Sequence, residues 1–218
     1  MRIFHFVNRE YGLQDLQLRR LKIATINDLN DPFELLGPAT TDCDIRRAFE
    51  ALKNQMANRF GILCFSRHWK NPVQWSHYAD RHRGLCLGFE MPDDQLAIVT
   101  YSAKRPEPHH ALLTRGHPNA HVEMLKLLST KYSHWRYERE VRSFTTLDDA
   151  DPKTNFYFMP FSENLVLKEV IVGYCSTVTR RELSNVLGDL TSKVATYKAR
   201  LAFRSFTVVR QRNDSLWQ

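Results

Sequence analysis

No stretch of this 218-residue chain is apolar for long enough to cross a bilayer. Runs such as Val170-Ile171-Val172 stop far short of the roughly 20 residues that a spanning helix needs. Close cysteine pairs are missing too. Cys43, Cys64, Cys86 and Cys175 are scattered, so there is no Cys-x-x-Cys for zinc or redox chemistry; free thiols are expected, with Cys64 and Cys86 buried inside apolar strand-like runs. Met1 to Phe6 reads as a strand and lacks the apolar stretch and small-residue cleavage site of a secretion signal. A cytoplasmic protein without membrane contact is expected. Internal repeats and low-complexity segments are absent as well.

The bulk composition is that of a folded protein, with 43% apolar residues and 11% aromatics. The length suits one domain, assigned to residues 1–210, with residues 211–218 as a fraying tail. A net charge of +7 is spread along the chain, which fits a nucleotide, a nucleic acid or simple solubility.

Residues Arg2 to Val7 alternate Ile3, His5 and Val7 against Phe4 and Phe6, the period of a strand. A short helix over Glu10 to Arg20 and a strand over Leu21 to Thr25 follow. Asn27 to Glu34, which includes Asn30-Asp31-Pro32, has turn chemistry. Asp42 is placed to cap a helix from Ile45 to Arg59, and Asn71 before Pro72 opens another that carries Trp75 and Tyr78 on one stripe. Strands are expected at Gly61 to Ser66, Leu85 to Glu90, Val99 to Tyr101, Val141 to Thr146, Phe156 to Met159, Leu167 to Tyr174 and Leu201 to Val209. Residues 103 to 120 read as a long loop, Ala120 to Tyr132 as a helix, and Thr179 with Glu182 as the capping box of a helix through Leu190. The sum predicts an α+β fold: a mixed, largely antiparallel sheet with flanking helices.

The densest chemistry lies in Trp135-Arg136-Tyr137-Glu138-Arg139-Glu140-Val141-Arg142. In an extended strand Glu138, Glu140 and Arg142 share a face, which sets two carboxylates side by side. Such a pair needs a cation, a ligand or a raised pKa, conditions common in active sites; a surface ladder with Arg136, Arg139 and Arg142 would satisfy it equally. His5, on its apolar strand face, has the setting of a ligand or of a core histidine. Trp75 and Tyr78 can be a stacking platform or core, and Asn30-Asp31 a ligand loop or a structural turn. Ser66 has no His-Asp relay in sequence. His77, His82, His109, His110 and His117 match no zinc spacing, and no metal is expected.

Taken in order, Asn30-Asp31-Pro32-Phe33-Glu34, Cys64-Phe65-Ser66, Trp75-Ser76-His77-Tyr78-Ala79-Asp80 with Gly84, and Trp135-x-Tyr137-Glu138-x-Glu140-x-Arg142 resemble the bacterial family catalogued as domain of unknown function 2971. That family supplies no activity; the resemblance implies a bacterial setting, with phage defence as the associated context. A strand histidine, a serine ending a central strand, a tyrosine and a late-strand glutamate also resemble ADP-ribosyltransferases. This second resemblance implies a split sheet that binds NAD. His5 or Arg2 would contact NAD, Ser66 would brace the site, Tyr78 would stack, and Glu140 would be the catalytic carboxylate with Glu138 completing a Glu-x-Glu. Side-chain chemistry, apart from the resemblance, offers Arg142 to the pyrophosphate, Trp75 as a stacking ring and Asn30 and Asp31 as a polar loop beside the cleft. The acceptor would be a nucleic acid or a protein, or water in an NAD glycohydrolase. Two alternatives remain at this stage. One is a nuclease in which Asp31, Glu34, Glu138 and Glu140 hold Mg²⁺; the other is a non-catalytic module that binds a nucleotide or nucleic acid through Trp75, Tyr78 and arginines.

Overall fold

The alternation of apolar rings at the start of the chain forms strand β1 (Arg2–Val7), and the Asn8 side chain then caps α1 (Arg9–Leu18) by accepting from the Tyr11 amide. There follow β2 (Arg20–Thr25), α2 (Cys43–Ala57), β3 (Phe60–Ser66), α3 (Pro72–Tyr78) and β4 (Leu85–Glu90). Next come β5 (Ala97–Ile98), β6 (Thr100–Ser102), α4 (His110–Leu113), α5 (Ala120–Leu128) and β7 (Thr130–Tyr132). A 3₁₀ turn over Ser133–Glu138 leads into β8 (Glu140–Thr146), then β9 (Tyr157–Pro160), β10 (Val166–Val172), α6 (Arg180–Leu187), β11 (Ala195–Leu201) and β12 (Val208–Arg210). This computed structural model describes residues 1–33, 38–114 and 116–218.

The large sheet runs β12-β11-β10-β4-β1-β3-β2-β9, with β8 on the other edge of β3 and β5 on β8. Within it β10 and β11 pair in parallel, which requires the crossover that α6 supplies; the other pairings are antiparallel. β6 and β7 form a separate parallel pair. The α+β class with a mostly antiparallel sheet is therefore as expected from the strand and helix pattern.

One joint in the sheet is weak. β1 pairs with β4 through six residues and β3 with β8 through seven, yet β1 and β3 meet only at Phe4 and Ser66. β2 takes the far end of the same β3 edge, at Ala24–Ile62 and Thr25–Gly61. Between these two points the strands part, and the gap opens the cleft described below. Ile3 and Val7 face one core with Leu16, Leu183 and Leu187 from α1 and α6. Phe4 faces a second core built on Trp75 of α3, with Phe6 packed against it. Each such fully buried side chain contributes about 2 kcal/mol, so both faces of β1 are anchored although one edge is largely unpaired.

Helix α3 ends at Tyr78 because Asp80, Arg81 and His82 all adopt positive φ, at 44°, 51° and 67°. This left-handed turn brings the His82 ring parallel to Trp75, and Gly84 then passes so near β1 that a Cβ there would lie 2.1 Å from the Val7 carbonyl oxygen. The turn costs conformational energy at three non-glycine residues and in return fixes where Tyr78 stands.

Several sequence expectations are corrected. The helix from Ala120 stops at Leu128 rather than Tyr132, and Thr130–Tyr132 turns into strand β7. Glu138 belongs to a 3₁₀ turn, not to the strand of Glu140; Arg139, at φ 46°, makes the bend between them. The loop of residues 103 to 120 contains the short helix α4. The run Leu201 to Val209 is the turn of the β11–β12 hairpin rather than one strand. Within residues 211–218 Trp217 is buried and donates through Nε1 to the Val178 carbonyl at 2.9 Å. Cys86 is buried and Cys64 half-buried, but Cys43 and Cys175 are exposed.

Candidate functional site

The cleft where β1 and β3 diverge is lined by aromatic walls, Phe4, Phe6, Phe65 and Tyr78, and by a polar floor of His5, Asn30, Ser66, Gln74, Lys131, Glu138 and Glu140, around a space of about 140 Å³. Register explains the convergence. Ser66 ends β3 opposite Phe4 on one edge and opposite Glu140 on the other, so the end of β3, the start of β8 and the middle of β1 meet at one point.

Glu138 is placed by its backbone first. Its carbonyl accepts from Ser66 Oγ at 2.6 Å and from Gln74 Nε2 at 3.0 Å. With the backbone pinned, its carboxylate takes the Tyr78 hydroxyl on Oε1 and Lys131 Nζ at 2.7 Å on Oε2. The same ammonium reaches Glu140 Oε2 at 3.1 Å. Glu140 is further gripped by Arg142, from Nε at 2.8 Å and from Nη2 at 3.2 Å, while Arg142 Nη1 donates to the Leu128 carbonyl at 2.7 Å. All four charged residues are at most 5% exposed. Two carboxylates are thus matched by two cations inside the protein, which is the arrangement that makes burial of like charges tolerable.

The two carboxylates titrate differently. Burial raises the Glu138 pKa above that of an ordinary glutamate, and Lys131 and Tyr78 only partly oppose it. Burial acts in the same sense on Glu140, but Arg142 and Lys131 outweigh it and bring the group down to about 2. Glu140 therefore stays ionised, and Glu138 is the member able to exchange a proton. Tyr78 is pushed up by burial and by its bond to Glu138, so it remains a neutral donor.

His5 stands in the parted edge. Its Nδ1 lies 3.2 Å from the Cys64 carbonyl, an oxygen that can only accept, so the proton sits on Nδ1 and Nε2 keeps its lone pair. Burial, opposed in part by that carbonyl, lowers the His5 pKa and keeps the ring neutral. Asn30 donates through Nδ2 to the Tyr78 hydroxyl, which in turn donates to Glu138.

Of the residues expected at the site, His5, Asn30, Ser66, Tyr78, Glu138 and Glu140 are brought together. Arg142 lies behind Glu140 rather than on the cleft surface. Three others lie elsewhere. Arg2 is engaged by Glu169 at 2.6 Å and Glu90 at 3.0 Å. Trp75 is fully buried, with Nε1 donating to the Trp69 carbonyl at 2.6 Å, and so is core rather than a platform. Asp31 is turned into a neighbouring cavity of about 360 Å³, together with Phe33, Lys104, Tyr132 and Lys131. Its Oδ1 accepts from the Phe33 amide at 3.0 Å, and its buried Oδ2 has no partner among the described residues.

Lys131 and, with it, Gln74 are members of the site that sequence reading missed. The arginines beside the acids looked like their partners, and a helix through Tyr132 hid the strand that delivers the lysine. The available signal was the requirement itself: two buried acids need more positive charge than Arg142 alone. Asp31, Glu138 and Glu140 do not converge, and Glu34 lies outside the described residues. Among the described residues no three His, Cys, Asp or Glu side chains gather around one point. No helix among them is long and apolar enough to cross a membrane.

No family model, curated protein or solved structure matches the chain.

Proposed function

We propose that the cleft binds NAD and that Glu138 is the working carboxylate of an ADP-ribosyl-transfer or NAD glycohydrolase reaction. The observation that carries this reading is a carboxylate with raised pKa on the floor of an aromatic-walled cleft, held between Tyr78 and Lys131 at the split of the sheet. A flat cationic ring is the ligand such walls favour, because aromatic faces and a nearby carboxylate both attract positive charge; the pyridinium of NAD is such a ring. The adjoining cavity shares Lys131 with the cleft, and the loop at Asn30 and Asp31 sends one residue to each. The rest of a dinucleotide has room there, with Lys104 available to phosphate. The order of motifs resembling ADP-ribosyltransferases adds weight from the sequence.

In this reaction the bond between the ribose C1′ and the nicotinamide nitrogen breaks. Its electron pair leaves with nicotinamide, and C1′ gains oxocarbenium character. A water or an acceptor hydroxyl then attacks C1′ and gives its proton to Glu138, whose carboxylate, its pKa raised by burial, is a stronger base than that of Glu140. Glu140, tied to Arg142, fixes Lys131 and thereby Glu138. This division moves the catalytic role expected for Glu140 onto Glu138.

The test is to incubate the protein with adenine-labelled NAD, in the presence of nucleic acid and cell extract, and to follow free nicotinamide and the label. Wild type is expected to release nicotinamide, and Glu138→Gln to be slower by about 10²- to 10⁴-fold, the usual worth of a general base. Label on a macromolecule defines a transferase, and free ADP-ribose a glycohydrolase. Absence of release by folded wild type rejects the reading.

A further inference from the structure

The β11–β12 hairpin carries a feature unrelated to the cleft. Its turn, Ala202 to Thr207, is closed by the Ala202 amide on the Thr207 carbonyl at 3.0 Å, and it projects Phe203 and Phe206 at 91% and 99% exposure. Two phenylalanines that bury almost nothing contribute nothing to folding and leave both rings in water. Around them the charge has one sign. From Leu190 to Asn213 the sequence contains Lys193, Lys198, Arg200, Arg204, Arg210 and Arg212, with no aspartate or glutamate. Arg200 lies 4.6 Å from the Phe203 ring centroid, so it steadies that ring from one side.

The hairpin is also continuous with more positive charge. The Val208 amide donates to the Lys70 carbonyl at 2.8 Å, and the Arg67 amide donates to the Arg139 carbonyl at 3.1 Å. Arg67, Lys70 and Arg139 are exposed, and their charge adds to burial in depressing the neighbouring His68. A basic strip thus runs from the hairpin along the loop after β3 to Arg139, beside Glu138.

We infer that this hairpin and strip bind single-stranded nucleic acid, with unpaired bases stacking on Phe203 and Phe206 and phosphates contacting the flanking arginines. Exposed rings interleaved with cations are what an unpaired strand requires, since each nucleotide offers a π face and a phosphate. The sequence of the turn favours this over an anionic membrane. Arg204 and Ser205 lie between the two phenylalanines, so driving both rings into hydrocarbon would carry a guanidinium with them, whereas a strand supplies a phosphate at each base step. The inference concerns binding and does not depend on the reaction in the cleft.

The experiment is fluorescence anisotropy of a labelled 20-nucleotide single strand at several salt concentrations, with wild type, Phe203→Ala/Phe206→Ala and Arg204→Ala, each checked for unchanged thermal unfolding. Wild type is expected to bind with an affinity that falls steeply with salt. The double phenylalanine variant should bind at least tenfold more weakly, and Arg204→Ala should lower the salt slope by about one contact. A duplex of the same sequence should bind less well, because its bases are already stacked. Absence of wild-type binding at low salt overturns the inference, as does equal binding by the double variant. Sedimentation with phosphatidylserine vesicles that is lost in the double variant, without oligonucleotide binding, assigns the hairpin to membranes instead and equally overturns it.

Discussion

Lys131 Nζ lies 2.7 Å from Oε2 of Glu138, and neither side chain is more than 6% exposed. Removing the ammonium leaves two buried carboxylates with only Arg142 to balance them. Lys131→Met is therefore expected to destabilise the fold by about 3–5 kcal/mol at neutral pH. Acid should return part of the loss, because protonation of Glu138 removes the uncompensated charge. Urea unfolding of wild type and variant at pH 5 and pH 7.5 measures both effects. In a double-mutant cycle, Glu138→Gln should cost less in the Lys131→Met background than alone.

Tyr78 tests the same network from the cleft side. Tyr78→Phe keeps the ring but removes the donor to Glu138 and the acceptor for Asn30, with an expected loss of about 1–2 kcal/mol in stability. The Tyr78 hydroxyl holds the Glu138 pKa down, so its loss raises that pKa further. In the proposed reaction the acid limb of nicotinamide release, which reports the base losing its proton, should move to higher pH.

Asp15 provides a pH prediction away from the cleft. It is buried in α1, and desolvation, offset only partly by Arg20, raises its carboxyl to about 7 from an ordinary 3.8. A carboxyl raised in the folded state binds its proton more tightly there than in the unfolded chain. Its favourable contribution is complete below the unfolded value and is lost as pH rises toward 7. Asp15→Asn should remove that slope and be more stable than wild type at pH 8, by at most about 4 kcal/mol. Thermal unfolding between pH 4 and pH 8 checks it, with the two proteins converging at the acid end.

Local rules carried much of this architecture. The ring alternation of β1, the Asp42 and Asn71 caps, Pro72 at a helix start and the Thr179 cap all act within a few residues, and each appears where its chemistry requires. The pairing of two acids at Glu138 and Glu140 was legible for a different reason than the one available in sequence. They do not share a strand face, and the bend at Arg139 still brings both to one cation. What stayed hidden was set by long-range contacts. Nothing near Lys131 says that a helix should break at Leu128 to deliver it, nothing near Phe4 says that β1 and β3 touch at one residue, and Trp75 shows its core role only once Trp69, Phe6 and His82 surround it. The docked terminus depends likewise on Trp217 reaching Val178 across the chain.

The proposed reaction requires that NAD occupy the cleft between β1 and β3. The direct measurement is an NMR titration of NAD into wild type and into Glu138→Gln, following the ring resonances of His5 and Tyr78. Saturable shifts of both rings are expected at a common NAD concentration, with His121, on α5 and outside the cleft lining, unmoved. Saturable NAD binding that leaves His5 and Tyr78 unshifted, or no binding by either protein, would contradict it.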